Sequence, residues 1–129
     1  MGILLTSPEE IMEISRTFSK SRSKGVDDID PSLAAPYLAR IAGPLAEVIN
    51  CSLSTGVVPD AIKIAKIVPI LKKGDKDNVS NYRPISVLPY FSKFYEKLMY
   101  NRLSNYVKNL TSYIKDSMDS NRDILLTWH

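Results

Sequence analysis

The residues of this chain that could bind a charged ligand are basic and lie close together in the sequence. Lys72, Lys73 and Arg83 stand on either side of a short polar segment. Arginine binds phosphate through a planar fork of N–H donors, and lysine supplies a mobile point charge. On two adjacent strands these side chains would converge on one phosphate group, as in a triphosphate. A second interpretation stays open, in which Arg83 pairs with Asp75 or Asp77 and the lysines only keep an edge strand soluble.

The distribution of charge along the chain also favours a phosphate-bearing partner. The 129 residues carry a formal net charge of +3, whereas residues 63–108 hold ten basic and three acidic side chains, a net charge of +7. Such a concentration suits nucleic acid, although composition alone is equally compatible with a solvated basic face. Three further lysines in this stretch are candidates for contacts with a nucleic-acid backbone: Lys63, Lys66 and Lys76.

Cysteine and histidine are too few for a zinc site or an internal disulfide. Cys51 is the single cysteine and His129 the single histidine, so no zinc site is predicted for this chain. No other metal site, catalytic residue or cofactor is predicted for it either. We expect Cys51 to be a small buried hydrophobe. No apolar run approaches the roughly 20 residues that span a bilayer, and no signal peptide is expected. We predict an intracellular protein, cytoplasmic or nuclear.

Helical patterns fill the first part of the chain. Ser7 is a cap followed by a proline, and an apolar stripe then predicts a helix over about 8–19. After a loop at 20–30, either two helices or one broken helix fit residues 31–41 and 44–54. Gly56 is placed to end the second helix in a left-handed conformation.

The middle of the chain changes to an extended pattern. Residues 64–71 and 82–88 are predicted strands of a hairpin with a long basic loop. A helix over about 90–109 follows, and after Leu110 the periodic pattern fades. The predicted fold class is α+β, mostly helical with a small antiparallel β-hairpin. Because a two-stranded hairpin alone is marginal in water, the 90–109 helix must support it.

An ordered series of short motifs runs through this region. It reads Ser54-Thr55-Gly56-Val57-Val58-Pro59-Asp60, Lys63-Ile64-Ala65-Lys66-Ile67-Val68-Pro69-Ile70, Lys72-Lys73-Gly74-Asp75, Asn81-Tyr82-Arg83-Pro84-Ile85-Ser86, Ser92-Lys93 and Glu96-Lys97. Upstream stands Ser21-Arg22-Ser23-Lys24-Gly25-Val26-Asp27-Asp28-Ile29. Over about residues 20–108 the series resembles the fingers region of reverse transcriptases of non-LTR (LINE-like) retrotransposons.

The resemblance implies a fold, a role and partners. It implies a partial fingers subdomain of a right-hand polymerase, with an N-terminal helix at 1–19, a fingers-like region at 20–110 and a divergent tail at 111–129. In that family the hairpin closes over the incoming deoxynucleotide and the RNA template, beside the DNA primer. Arg83 matches the family's triphosphate-binding arginine, and Lys72 with Lys73 matches the fingers lysine. The complete family enzyme would use Mg²⁺.

The chain departs from the family pattern after the last predicted helix. The family's palm aspartates, in an "FxD" strand and a Tyr-x-Asp-Asp turn, are absent from this sequence. Two-metal phosphoryl transfer needs such carboxylates, so we expect a truncated reverse transcriptase that is inactive on its own. Two alternatives stay open: a non-catalytic nucleic-acid-binding module, and an inert interaction fragment that self-associates through the apolar face that a palm would cover.

Overall fold

The computed structural model describes residues 4–18 and 23–126. The chain divides into two compact units, Met1–Glu96 and Lys97–His129. The helices are α1 (Pro8–Thr17), α2 (Pro31–Ala34), α3 (Leu38–Thr55) and α4 (Tyr90–Leu126), and the strands are β1 (Lys66–Leu71) and β2 (Tyr82–Val87). Short 3₁₀ turns occupy Ala35–Tyr37, Asp60–Ile62 and Val79–Asn81. The predicted fold class, mostly helical α+β with a small antiparallel hairpin, is confirmed.

Helix α1 begins where its capping signal predicts. The Ser7 hydroxyl accepts a hydrogen bond of 3.2 Å from the Glu10 backbone N–H, which satisfies one of the free donors of the first turn. Ile11 and Ile14 are buried on the inner side of the helix. The helix ends at Thr17, and Phe18 leaves it in an extended conformation. The last residue of the predicted span, position 19, lies outside the described residues.

The prediction of a helix boundary at Pro44 was wrong. Pro44 lies inside α3, and the interruption comes earlier, in the 3₁₀ turn Ala35–Tyr37. A proline removes one backbone donor, whereas the buried stripe of α3 continues on both sides of it and holds the helix together. That stripe consists of Leu38, Ala42, Ala46, Ile49 and Leu53. Gly56 ends the helix as predicted, with a φ of 71° and its N–H 2.9 Å from the Ser52 carbonyl.

The expectation that Cys51 is buried was also wrong. Cys51 is exposed on α3, and Val48 is exposed as well. Residues three and four apart share a face of a helix, whereas residues two apart do not. Because Ile49 and Leu53 form the inner face, Cys51 between them must turn to solvent.

Strands β1 and β2 form the predicted antiparallel hairpin. Lys66 pairs with Val87 at one end and Leu71 with Tyr82 at the other. Beyond the last pair, the Lys72 N–H donates to the Asn81 carbonyl at 2.8 Å. Hydrogen-bonded and non-hydrogen-bonded pairs alternate along an antiparallel ladder. The facing prolines, Pro69 and Pro84, therefore occupy a non-hydrogen-bonded pair, and neither forfeits a ladder bond.

Helix α4 begins at Tyr90 as expected but continues far beyond the predicted end near 109. Its bounds are Tyr90–Leu126, so the fading apolar pattern after Leu110 was wrongly taken as the end of the helix. Residues 111–126 contain neither glycine nor proline, and a helix without an apolar stripe is not thereby broken. No helix in the described part of the chain is both long and apolar enough to cross a membrane.

An aromatic cluster joins α1 to the start of α4 within the first unit. The ring centroids of Phe18 and Phe94 are 4.8 Å apart, and those of Tyr90 and Phe94 are 5.3 Å apart, both edge to face. Phe94 is fully buried. Edge-to-face pairs add about 0.5–1.5 kcal/mol to the burial of apolar area. The cluster fixes the first turns of α4, which follow directly on β2.

Candidate nucleic-acid interface

The hairpin carries two of the predicted basic residues, Lys72 and Arg83, on one face. Arg83 of β2 pairs with Ile70 of β1 in the ladder. Lys72 follows Ile70 by two residues and comes directly after the last residue of β1. Because side chains alternate across a strand, Ile70, Lys72 and Arg83 share a face, and diagonal neighbours of this kind lie roughly 7–8 Å apart. Lys72 and Arg83 are both exposed. The structure therefore brings together the lysine and the arginine that the sequence selects, and Lys73, also exposed, begins the loop beside them.

The same face extends to the other end of the hairpin, and we call it the hairpin face. Alternation places Lys66 on it, opposite Val87. Between the two basic ends lie Ile70 and Ile85, with 51% and 41% of their surfaces exposed. The hairpin face thus presents apolar side chains flanked by cations. This combination suits a nucleotide, whose phosphates are charged and whose sugar and base have apolar surfaces.

The loop that joins the strands, residues 72–81, is held by the side chains of its last residue, Asn81, and of the first residue of β2, Tyr82. The Asn81 side-chain amide donates to the Asp75 carbonyl at 2.8 Å, and the Tyr82 hydroxyl donates to the Lys76 carbonyl at 2.9 Å. Analysis of the sequence missed both roles. The signal was the position of an asparagine and a tyrosine at the end of a polar loop, where side-chain amides and hydroxyls often bond to the backbone.

The alternative in which Arg83 pairs with a loop aspartate does not occur in the described residues. No ion pair joins Arg83 to Asp75 or Asp77 within residues 4–18 and 23–126. One carboxylate oxygen of Asp75 instead accepts the backbone N–H of Asp77 at 3.2 Å. Within the part of the chain that the structure describes, the guanidinium of Arg83 is therefore not neutralised by an aspartate of its own loop.

Lys63 and Lys76, two of the remaining candidates, lie in different surroundings. The Lys63 ammonium forms an ion pair of 2.8 Å with the Asp60 carboxylate. The hydrogen bond and the positive charge of Lys63 lower the pKa of Asp60 below its ordinary 3.8. A phosphate would have to compete with this carboxylate for Lys63. Lys76 is exposed on the loop, where its carbonyl accepts the bond from Tyr82.

A close backbone contact fixes the junction between the hairpin and α4. Gly25 is buried, and a Cβ added there would lie 2.7 Å from the Cα and the nitrogen of Pro89. Real side chains do not approach backbone so closely, so only glycine fits. The upstream loop therefore packs directly on the last residues before α4 and thereby supports the base of the hairpin.

The described residues hold no cluster of potential ligands for the magnesium ions that the family resemblance implies. Mg²⁺ binds to converging carboxylates and phosphates in near-octahedral geometry. Among residues 4–18 and 23–126, no group of three or more His, Cys, Asp or Glu side chains lies close enough together to hold a metal ion.

Sequence comparisons identify related proteins. No protein-family model matches the chain. The chain is 33% identical over 98 residues to a probable RNA-directed DNA polymerase from transposon BS of Drosophila melanogaster, a match of 75% of this chain and 11% of the relative. It is 33% identical over 103 residues to the RNA-directed DNA polymerase from mobile element jockey of Drosophila funebris, over 74% of this chain and 10% of the relative.

A third relative comes from another mobile element. A putative 115 kDa protein in the type-1 retrotransposable element R1DM of Drosophila melanogaster is 31% identical over 99 residues, or 73% of this chain and 10% of the relative. The chain thus spans about a tenth of the length of the curated relatives it matches. Over about three quarters of its residues, the chain belongs to the sequence family of the non-LTR (LINE-like) retrotransposon RNA-directed DNA polymerases.

Proposed function

We propose that the chain is part of the fingers subdomain of a retrotransposon reverse transcriptase and that its hairpin binds the incoming deoxynucleoside triphosphate. The observation that carries the proposal is the placement of Arg83 and Lys72 on one exposed face of the hairpin. Arginine and lysine at this spacing bind neighbouring oxygens of one triphosphate. Lys73, at the start of the loop, adds a third cation beside them.

The remaining parts of the hairpin suit the template strand. Lys66 and Lys76 are exposed and can neutralise backbone phosphates of RNA, while Ile70 and Ile85 offer apolar contact for a sugar or a base. Lys63 joins them when a phosphate displaces its contact with Asp60. The RNA template, the DNA primer and the deoxynucleotide are the proposed partners in the parent enzyme.

Chemistry at the primer end requires further residues. The transfer of a nucleotidyl group needs carboxylates that hold two metal ions, and the sequence of this chain has neither of the palm motifs that supply them in the family. We propose that the 129-residue chain binds its ligands but does not polymerise DNA by itself. Extension of a DNA primer on an RNA template by the purified chain would contradict this proposal.

The nucleotide site is tested by direct binding. A fluorescent deoxynucleoside triphosphate is titrated with the purified chain, with and without Mg²⁺. Arg83→Ala is expected to weaken binding about tenfold to a hundredfold, because charge-assisted hydrogen bonds contribute about 1.5–3 kcal/mol. Arg40→Ala, at an exposed position of α3, is the matched control and should leave the affinity unchanged. Equal affinities for Arg83→Ala and the unsubstituted chain would refute the assignment of Arg83.

A second candidate function, nucleic-acid binding without a nucleotide site, has its own observation. The net charge of +7 over residues 63–108 favours it independently of the position of Arg83. In that case a labelled RNA oligonucleotide binds with strong dependence on salt, and each lysine removed reduces the logarithmic salt slope by about one. Binding of RNA together with no binding of the triphosphate would favour this second function.

A further inference from the structure

We propose that Asn81 and Tyr82 are positioning residues that hold the loop 72–81 so that Lys72 and Lys73 stand ready beside Arg83. The inference rests on the proposed nucleotide-binding function and extends it to residues that carry no charge. Neither side chain needs to touch the nucleotide. Each acts on the backbone of the loop from the junction of the loop with β2.

The geometry of the two contacts is paired. Consecutive donors, the Asn81 amide and the Tyr82 hydroxyl, bond to the consecutive carbonyls of Asp75 and Lys76 at 2.8 and 2.9 Å. The next residue in the chain is Arg83. Asn81 and Tyr82 therefore fix the loop, and the adjacent Arg83 supplies the guanidinium that binds the phosphates.

Two further features tie the loop to Asn81. Its backbone carbonyl accepts the Lys72 N–H at 2.8 Å. Its side chain lies directly against Gly74, where an added Cβ would be 2.8 Å from the Asn81 amide nitrogen. Gly74 has a φ of 90°, so Asn81 lies beside the glycine at which the loop adopts a positive φ. The segment that carries Lys72 and Lys73 is thus bounded by contacts of Asn81 at both ends.

The advantage of the two hydrogen bonds from Asn81 and Tyr82, which we call the loop lock, is a smaller loss of conformational freedom on binding. Ordering a flexible loop around a ligand costs free energy that reduces the affinity. Loop carbonyls outside helices and strands would otherwise bond to water and leave the backbone free to move. The side-chain donors of Asn81 and Tyr82 replace that water, so that the lysines are already in place when the triphosphate arrives.

Removal of single donor groups tests the inference. Tyr82→Phe deletes only the hydroxyl and Asn81→Ala only the amide, so neither changes a charge. Each is expected to weaken binding of the fluorescent deoxynucleoside triphosphate about threefold to tenfold, because the ligand must then order a loop that has lost a hydrogen bond holding it in place. Tyr37→Phe and Asn105→Ala make the same chemical changes at exposed positions outside the loop and should leave the affinity unchanged.

A positioning role is separated from a merely structural one by coupling to the lysines. In a chain with Lys72→Gln and Lys73→Gln, the loop lock no longer positions any lysine. Tyr82→Phe should therefore cause no further loss of affinity for the triphosphate in that chain. A purely structural role would give the same loss in both backgrounds and would overturn the proposal. Amide hydrogen exchange adds an independent measurement, because Tyr82→Phe should speed exchange at Lys72 and Asn78 and leave α1 and α3 unchanged.

The outcomes distinguish this inference from the function on which it rests. If the unsubstituted chain binds the triphosphate but Tyr82→Phe alters neither the affinity nor the exchange of the loop, the loop lock is wrong and the nucleotide site stands. If the unsubstituted chain binds no triphosphate, the nucleotide site and the positioning role that serves it are both refuted.

Discussion

Gly25 lies where no other residue fits without movement of the backbone. A methyl group there would meet Pro89 at 2.7 Å, and the atoms it meets belong to the main chain. Gly25→Ala is expected to lower the free energy of unfolding by about 1–3 kcal/mol, the usual cost of overpacking. Urea denaturation followed by circular dichroism measures the change.

Gly43 supplies the matched control for this substitution. It lies inside α3, and a Cβ added there has no neighbour within 4 Å. Gly43→Ala should therefore be neutral or stabilise the protein by up to about 1 kcal/mol. Equal losses of stability at the two glycines would show that the contact with Pro89 is not the cause.

Tyr90 gives a prediction for alkaline pH. Burial raises the pKa of the Tyr90 phenol above its ordinary 10.0. Above about pH 10 the unfolded chain releases this proton while the folded chain retains it, so the free energy of unfolding falls as the pH rises. Below pH 10 both states are protonated, and this contribution to stability is fully present.

Tyr90→Phe isolates that effect from the other titrating groups. The difference in stability between the variant and the unsubstituted protein should be constant between pH 7 and 9 and should shift in favour of Tyr90→Phe above pH 10. Chemical denaturation at a series of pH values measures it. A difference that stays constant up to pH 11 would contradict the buried phenol.

At the scale of elements, one serine connects the end of α3 to the start of α4. The Ser52 hydroxyl donates to the Val57 carbonyl at 2.7 Å and shares a hydrogen bond of 3.2 Å with the Tyr95 hydroxyl. Ser52 is buried, so Ser52→Ala leaves polar partners without a bond and should cost about 1–3 kcal/mol of stability. Thermal unfolding measures it, and Ser54→Ala, at an exposed position of the same helix, should have little effect.

The elements also mark how far local sequence patterns predict this fold. The cap at Ser7, the end of α3 at Gly56 and the hairpin were predicted because each depends on the conformational preferences of a few adjacent residues. The continuation of α3 through Pro44 was missed because it depends on packing on both sides of the proline. The exposure of Cys51 was missed because the apolar pattern around it left the inner face of the helix ambiguous.

In the candidate site, too, some features were predicted from the sequence and others were missed. Lys72, Lys73 and Arg83 were selected by residue type and spacing, and the pairing of the strands brings Lys72 and Arg83 to a common face. The roles of Asn81 and Tyr82 were not predicted, because their partners are backbone carbonyls, which every residue has. The contact of Gly25 with Pro89 joins distant parts of the chain, and a single sequence holds no signal for it.

At the scale of the whole molecule, the second unit presents a large apolar surface. Along α4, exposed apolar side chains recur at alternating spacings of four and three residues, the pattern of a coiled-coil seam. They are Met99, Leu103, Tyr106, Leu110 and Tyr113. A surface of this kind favours association, so the purified chain should form dimers or larger species as its concentration rises.

Light scattering coupled to size-exclusion chromatography tests this expectation. Leu103→Gln together with Leu110→Gln should return the chain to a monomer, because both changes place an amide in the centre of the seam. Leu33→Gln, at an exposed position of α2, should leave association unchanged. A monomer at all concentrations would contradict self-association through α4.

The contact between Gly25 and Pro89 has a consequence for the protein during its synthesis. The ribosome releases the N-terminal end first, so α1 and the loop around Gly25 emerge well before their partners. The backbone of Thr6 forms two hydrogen bonds with the side chain of Asn50, and these cannot form until Asn50 has been synthesised. The contact of Gly25 likewise cannot form until Pro89 has been synthesised. The apolar side of α1 therefore stays uncovered at least until α3, on which it packs, has been synthesised, and during that interval it is a target for chaperones.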